Sequence, residues 1–568
     1  MASLMNLRFL DWKGDVLKKK THGGSRAAMF IYVMVAMTSM AYVPNVFNIV
    51  TYLRKNMNTN VADSSTIITN FIGATSASSL LGGFLSDSYV DRFKTIIIFT
   101  PFQLFGFFLL ALQAHIPSLQ PQQCYVLGQQ LNCKEVEGSN AVILYIGLYT
   151  IALGEGCMRA AIASFGGDQF NDDDPIEKEQ KSSFFNWYTF GISLGVFSGL
   201  ILVVWVENNK GWDFGFGLCA LIILVGLLTF ASGFSFYRIL KPTGSPLTRM
   251  LQVFVVAFKK RKLYLFENTD ARSKERIEED ANVIEILPHT NDFKFLDKAT
   301  IFDGRTDDWS LCNITKVEET KIILRMIPIF LCVVVGYIPI PLLTSFTIQQ
   351  GITMDTRIGM FNISPATLFI IPVIFQMFIL VVYDCLFMPF ARKITGHVGG
   401  ITYLQRVGVG FLSIILATLV AAEVEGKRRK IAKENGLLNS KEMVPMSLFW
   451  LGMQFFILGI TDVTCFVGLL EFFTREVSSG MKSIGTAIFW CAIGIASLLG
   501  TIIVRVLNKV TRHGEKGMGW LDGGNLNQSR LDLFYWFLCV LGTIGFFNYL
   551  YWARRYVYRQ NSHVCVSS

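Results

Sequence analysis

Apolar stretches near the length needed to cross a bilayer recur twelve times along this chain, and that recurrence limits the folds open to it more than any other feature. A helix needs roughly 20 apolar residues to pass the hydrocarbon core, and inside lipid each backbone N–H and C=O must find its partner within the segment. Only 16% of the 568 residues are charged and 52% are hydrophobic, where a soluble chain carries about 25% charged residues. The chain is therefore expected to be an all-α polytopic membrane protein.

The spans fall near 27–53, 66–88, 95–114, 140–164, 183–206 and 214–237, and then near 321–347, 364–388, 402–424, 445–473, 481–505 and 530–553. This predicts a cytosolic N-terminal segment (1–26), a six-helix bundle (27–237), a charged cytosolic linker (238–320), a second six-helix bundle (321–553) and a cytosolic tail (554–568). Twelve helices in two sixes is the layout of the major facilitator fold. An even number of spans puts both termini on one side. Lys18 to Lys20, Arg92, Lys94, Arg238, Arg392, Lys393, Arg554 and Arg555 mark that side as cytosolic, because basic residues stay inside.

The net charge of +9 sits in these juxtamembrane clusters, so it argues for orientation and against nucleic acid as a partner. One cluster, Lys427 to Lys430, follows span 9 on what should be the outer face. No cleavable signal peptide is expected, since the first twenty-odd residues are polar. In the linker, Leu247, Leu251, Phe254 and Phe258 recur at helical spacing and end at a Lys259 to Lys262 basic run, which predicts an amphipathic helix on the inner leaflet. Most of the 11 Cys read as small buried hydrophobes. Cys124 and Cys133 lie in an outer polar loop, where an oxidising compartment could join them.

Charges inside the spans point to function, because one at membrane depth costs about 2.5 to 3.5 kcal/mol. Glu155 and Arg159 stand at i and i+4 on one helix face, and the pair reads either as a proton-coupling site or as a structural ion pair that neutralises Arg159. Glu471 is a second intramembrane acid. Asp462, nine residues earlier, lies on roughly the opposite face, with its role left open. There is no Ser/His/Asp set, metal-ligand cluster or phosphate loop, and only 6 His in all, so neither an enzyme nor a cofactor is expected.

Gly83-Phe-Leu-Ser-Asp87-Ser-Tyr-Val-Asp91-Arg92, at the end of span 2, resembles the gating signature between helices 2 and 3 of major facilitator proteins, with Asp87 and Arg92 as a charge relay at the cytosolic gate. Phe165-Gly-Gly-Asp-Gln-Phe170, Phe184-Phe-Asn-Trp-Tyr188, Tyr383-Asp384, Arg392-Lys-Ile-Thr-Gly396, Leu404-Gln-Arg-Val-Gly-Val-Gly410, Leu470-Glu471-Phe-Phe and Met481-Lys-Ser483 narrow the match. From about His22 to Tyr556 the chain resembles the plant nitrate/peptide transporter family, a branch of the proton-coupled oligopeptide transporters. The resemblance implies alternating access, with substrate held between the bundles. It also puts Arg159 where the family has a substrate- and proton-linked Lys, and Glu471 on the family's acidic position in helix 10.

The departures from the family are as informative. Most members carry Glu-x-x-Glu-Arg in helix 1, a motif tied to proton coupling, but here Val35, Thr38 and Ser39 occupy those positions, which argues against standard coupling and against a dipeptide substrate. Glu155 restores the net −1 that the bare span 1 has lost, so Glu155 and Glu471 are the expected proton-coupling groups. Ile340, between Pro339 and Pro341, stands where the family's best-known nitrate member binds the anion through a His, and an aliphatic chain donates nothing to nitrate. The two prolines should break the helix where it lines a cavity. Thr95 stands where the family's dual-affinity nitrate transporter is phosphorylated, which makes it a candidate for a kinase acting on cytosolic loops; a structural Thr at a helix start is the alternative.

The expected function is secondary transport of a small organic substrate, a hormone-like weak acid or a glycosylated specialised metabolite, either proton-coupled in a non-standard way or facilitative. Arg159, Glu471, Ile340, Tyr188, Phe346 and Trp490 would line the substrate site, with Phe185, Trp187 and Phe466 as further aromatic candidates. The rivals are a nitrate or other small-anion transporter and a receptor on a transporter fold. A monomer or weak dimer is expected, in the plasma membrane or else the vacuolar membrane.

Overall fold

A computed structural model describes residues 9–10, 22–59, 61–121, 125–126, 129–130, 138–171, 174–242, 244–263, 287–302, 307, 309–355, 357–358, 361–362, 370–396, 400–439, 442–512, 519–521 and 526–559. Cys124 and Cys133, with the disulfide expected of them, lie outside the described residues, as does the basic run Lys18 to Lys20.

Among the described residues 12 helices are long and apolar enough to cross a membrane. They are α1 (Gly24–Arg54), α2 (Ile67–Ser88), α3 (Arg92–His115), α4 (Ser139–Gly167), α5 (Pro175–Asn209), α6 (Trp212–Phe236), α7 (Ile314–Gly351), α8 (Ile370–Thr395), α9 (Tyr403–Glu434), α10 (Leu448–Glu476), α11 (Ser479–Thr511) and α12 (Leu531–Arg555). In the first half α1 packs on α5 and α6, and α4 on α2 and α3; in the second α9 packs on α10 and α12. The halves meet chiefly where α2 and α4 face α11 and where α5 faces α8. Close approach is built in, since a Cβ on Gly156 of α4 would sit 2.3 Å from the Thr75 carbonyl oxygen of α2.

Several helices outrun their apolar stretches, because hydropathy falls before helical geometry ends. α5 begins at Pro175, eight residues ahead of its apolar run, with Asp174 accepting from the Ile176 N–H; proline fits the first turn, whose N–H groups have no helical partner. α7 starts at Ile314, inside the segment expected to be linker. α9 continues to Glu434, so the Lys427 to Lys430 cluster is helical rather than loop. Within it Arg428 is wholly buried and donates to both oxygens of Glu425, at 2.7 and 2.6 Å. Lys427 lies over the Trp450 ring. A neutralised, buried arginine does not act as an orientation charge, which removes Arg428 from the exception to the basic-residue bias.

α7 is interrupted at Ile338, between segments ending at Tyr337 and beginning at Pro339, where proline removes an N–H and clashes with the preceding turn. α8 and α10 widen to π geometry over Tyr383–Phe387 and Asp462–Phe466. The linker helix, Pro246–Lys259, buries Val253 and Val256 against Leu296, Ala299 and Val317. Its Leu247, Leu251, Phe254 and Phe258 remain exposed on the face expected to meet lipid.

Candidate functional site

The charged pair of α4 faces the second bundle. Arg159 donates from Nε to Glu155 Oε1 at 2.9 Å, and its Nη2 also reaches that oxygen. Gln103 of α3 donates to the other oxygen, Oε2, at 2.8 Å. Glu155 is 2% exposed, so three donors replace the water an ionised carboxylate would otherwise need. The Arg159 guanidinium lies 4.9 Å from the ring centroid of Tyr42 in α1 and 4.2 Å from that of Trp490 in α11. Tyr42 is anchored by its hydroxyl to Thr75 at 3.0 Å. Tyr188 of α5 is buried within electrostatic reach of Arg159. Trp490 stacks edge-on with Phe466 of α10 at 5.6 Å, and its indole N–H is buried with no partner among the described residues.

Arg159, Glu155, Tyr188, Trp490 and Phe466 are thus brought together. Other expected wall residues are not. Phe346 meets Phe534 of α12 edge to face at 5.1 Å, within the apolar core of the second bundle, so it is a packing residue there rather than a wall of the Arg159 site. Ile340 is 8% exposed and packs in the main apolar core beside the α7 break. Phe185 is buried, and Trp187 donates its indole N–H to Asp384 of α8 at 3.0 Å. Glu471 pairs with Arg475 at 3.1 Å and Arg406 at 3.8 Å, a separate group from the α4 pair. Those two arginines tie the bundles together, Arg406 donating to Asn186 Oδ1 at 2.8 Å and Arg475 to the Lys181 carbonyl at 2.7 Å.

At the end where α1 begins and α12 finishes, Asp87 and Arg92 form an ion pair at 2.8 Å and reach across to α11. Arg92 donates to Ser483 Oγ at 2.8 Å and to the Ser479 carbonyl at 3.1 Å, and Asp87 accepts the Ile484 N–H at 2.9 Å. Asp168, just past α4, pairs with Arg92 and, at 2.9 Å, with Lys482. Burial alone would raise the Asp168 carboxyl, but Arg92 and Lys482 outweigh it and hold the group below the ordinary aspartate value. This end of the molecule is closed. Thr95 is fully buried within it and donates its hydroxyl to the Asp91 carbonyl at 3.1 Å, so a kinase could reach it only after the end opens.

Arg406, inside the Leu404 to Gly410 motif, and Arg475, just past the apolar run of span 10, carried no assigned role in the sequence, and Tyr42 and Gln103 gave no signal. An aromatic or amide in an apolar run looks like any packing residue until the facing helix is known. His289, Asp297 and Glu318 are spaced as metal ligands could be, but Lys321 pairs with Asp297 at 2.7 Å and with Glu318 at 2.8 Å, so a fixed ammonium already fills that role.

A sequence profile of the POT family matches residues 93–521. Protein NRT1/PTR FAMILY 4.6 of Arabidopsis thaliana is 38% identical, over 97% of this chain and 97% of its own length. Protein NRT1/PTR FAMILY 4.5 of the same plant is 37% identical, over 97% and 96%. Among solved structures, an auto-inhibited POT family peptide transporter superposes with a TM-score of 0.62 at 18% identity, covering 95% of this chain and 98% of that one. The POT family transporter PepTSo gives 0.60 at 17%, over 94% and 98%. At such identities the structures speak for the fold alone.

Proposed function

The chain belongs to the POT family and is a multi-pass membrane transporter, not an enzyme, and from that premise we propose that its cargo is an organic solute, either a hormone-like weak acid or a glycosylated metabolite, moved by alternating access across the plasma membrane. The observation that carries this reading is the Arg159 guanidinium, already balanced by Glu155 and enclosed by the Tyr42 and Trp490 rings. A balanced cation attracts a small inorganic anion weakly, whereas aromatic faces favour a substrate with a large apolar body. The unpaired Trp490 N–H supplies a donor for a carboxylate or a sugar hydroxyl.

On this reading the substrate carboxylate competes with Glu155 for Arg159. Deprived of its cation in a low dielectric, Glu155 takes up a proton. Glu471 does the same when Arg406 and Arg475 part as the closed end opens.

Uptake of labelled organic acids, glycosides and nitrate into proteoliposomes, with and without an inward pH gradient, tests the proposal. We expect saturable uptake of an organic acid or glycoside. Glu155→Gln should lose pH-driven accumulation while counterflow exchange survives. Saturable nitrate uptake that persists in Arg159→Ala would overturn the cargo assignment, and no uptake of any solute with tight binding retained would favour a receptor. Nitrate binding gained in Ile340→His would support the register of α7.

A further inference from the structure

We propose that Asp462 is a proton-binding site of this transporter, a carboxyl group that carries a proton while the cytosolic end is closed. It lies inside the apolar α10 and opens the π-widened stretch Asp462–Phe466. Such single-turn widenings interrupt the helical ladder and recur at functional sites. Four residues on, Phe466 packs against Trp490, the ring that covers Arg159, so this stretch of α10 borders the substrate site. Asp462 itself is partly exposed within the molecule.

The other acids near the bundle interface are all satisfied. Glu155 has Arg159 and Gln103, Glu471 has Arg475 and Arg406, and Asp87 has Arg92. Asp462 has no hydrogen-bond or ion-pair partner among the described residues. The groups facing it are uncharged: Tyr337, at the break in α7, and Cys465 on its own helix. Arg406 of α9 is engaged elsewhere, its guanidinium donating to the Val463 carbonyl and to Asn186. α8 offers no titratable side chain over Ile370–Val382.

A carboxylate with neither a cation nor a hydrogen-bond donor costs more here than in water, which favours the protonated form. Glu207 of α5 is also buried without a cation, but it accepts from Asn48 at 2.6 Å in a closed cluster far along α5 from the Tyr188 end. Of the two, Asp462 is the one beside the substrate site. Both interruptions that flank it, in α7 and α10, are places where a helix can pivot. A pivot that admits water lets the carboxyl release its proton to cavity water and become Asp462 carboxylate.

The role in transport rests on the reading above, but the proton itself can be tested without any solute, so failure of the cargo assignment leaves this test intact. Infrared difference spectra of the purified full-length protein, recorded between alkaline and neutral pH, where ordinary carboxyl groups stay ionised, report directly a carboxyl group that binds a proton. We expect a titrating carboxyl band that Glu155→Gln and Glu207→Gln retain and Asp462→Asn abolishes, with Asp462→Glu displacing it rather than removing it. Should the asparagine variant fail to fold, the displaced band of Asp462→Glu carries the assignment. A band undiminished in Asp462→Asn, or unmoved in Asp462→Glu, overturns the proposal.

Discussion

Arg159 of α4 lies under the ring of Trp490 of α11, Cζ to centroid 4.2 Å, so the buried cation of one bundle is capped by an aromatic side chain of the other. Under the proposed alternating access the bundles move relative to each other, and this contact loosens each time. A desolvated cation–π contact is worth about 2 kcal/mol. If solute stacks on the same ring, Trp490→Leu should raise its half-saturating concentration by roughly tenfold, and Trp490→Phe by less. The concentration dependence of proteoliposome uptake measures both, and equal affinities across the series would exclude the ring from the site.

Asp168 sets an acid limit on the closed end. Its carboxyl is held below the ordinary aspartate value because Arg92 and Lys482 outweigh burial. A depressed carboxylate contributes stability that is full above its unperturbed value and is lost as pH falls through the depressed one. The Asp168 contribution to closure should accordingly be lost only below about pH 4, and Asp168→Asn should remove that part of the acid dependence. Thiol labelling of a cysteine introduced beside Ser483 reads the closure, and unchanged acid sensitivity in Asp168→Asn would count against this account.

Gly83 permits α2 to lie against α11. A Cβ there would come 2.8 Å from the Ser483 carbonyl oxygen and 2.9 Å from the Ala487 side chain, contacts that real Cβ atoms do not make. Gly83→Val should wedge this end apart without disturbing either bundle. Higher labelling of the same cysteine with an unchanged melting temperature is the expected result. An unaltered labelling rate would mean that α2 and α11 do not form the gate.

Arg428 and Glu425 should matter for stability and not for transport chemistry. Both are wholly buried in α9, and Arg428 also reaches Thr353 Oγ1 at 2.9 Å and Asn527 Oδ1 at 2.6 Å. Removing one partner of a buried pair leaves an uncompensated charge and costs about 3 to 5 kcal/mol. Arg428→Ala should lower the melting temperature and folded yield, and Arg428→Met with Glu425→Leu should recover most of the loss. Thermal unfolding in detergent compares them.

What the sequence determined is whatever depends on local chemistry. Span-length apolar runs set the twelve helices, because the bilayer leaves the backbone no other way to pair its polar groups. The i and i+4 spacing joined Glu155 to Arg159, since helical geometry alone puts them on one face, and Pro339 with Pro341 announced the break in α7. Tertiary structure decided what surrounds those features. Trp490 caps Arg159, Phe346 turns to Phe534, Glu471 pairs with Arg475 and Arg406, and Arg428 disappears into α9. Asp462 and Glu471 look alike in sequence, each an acid in an apolar run. They differ because one meets two guanidinium groups and the other meets none, and the partners of a side chain distant in sequence are fixed only when the helices pack.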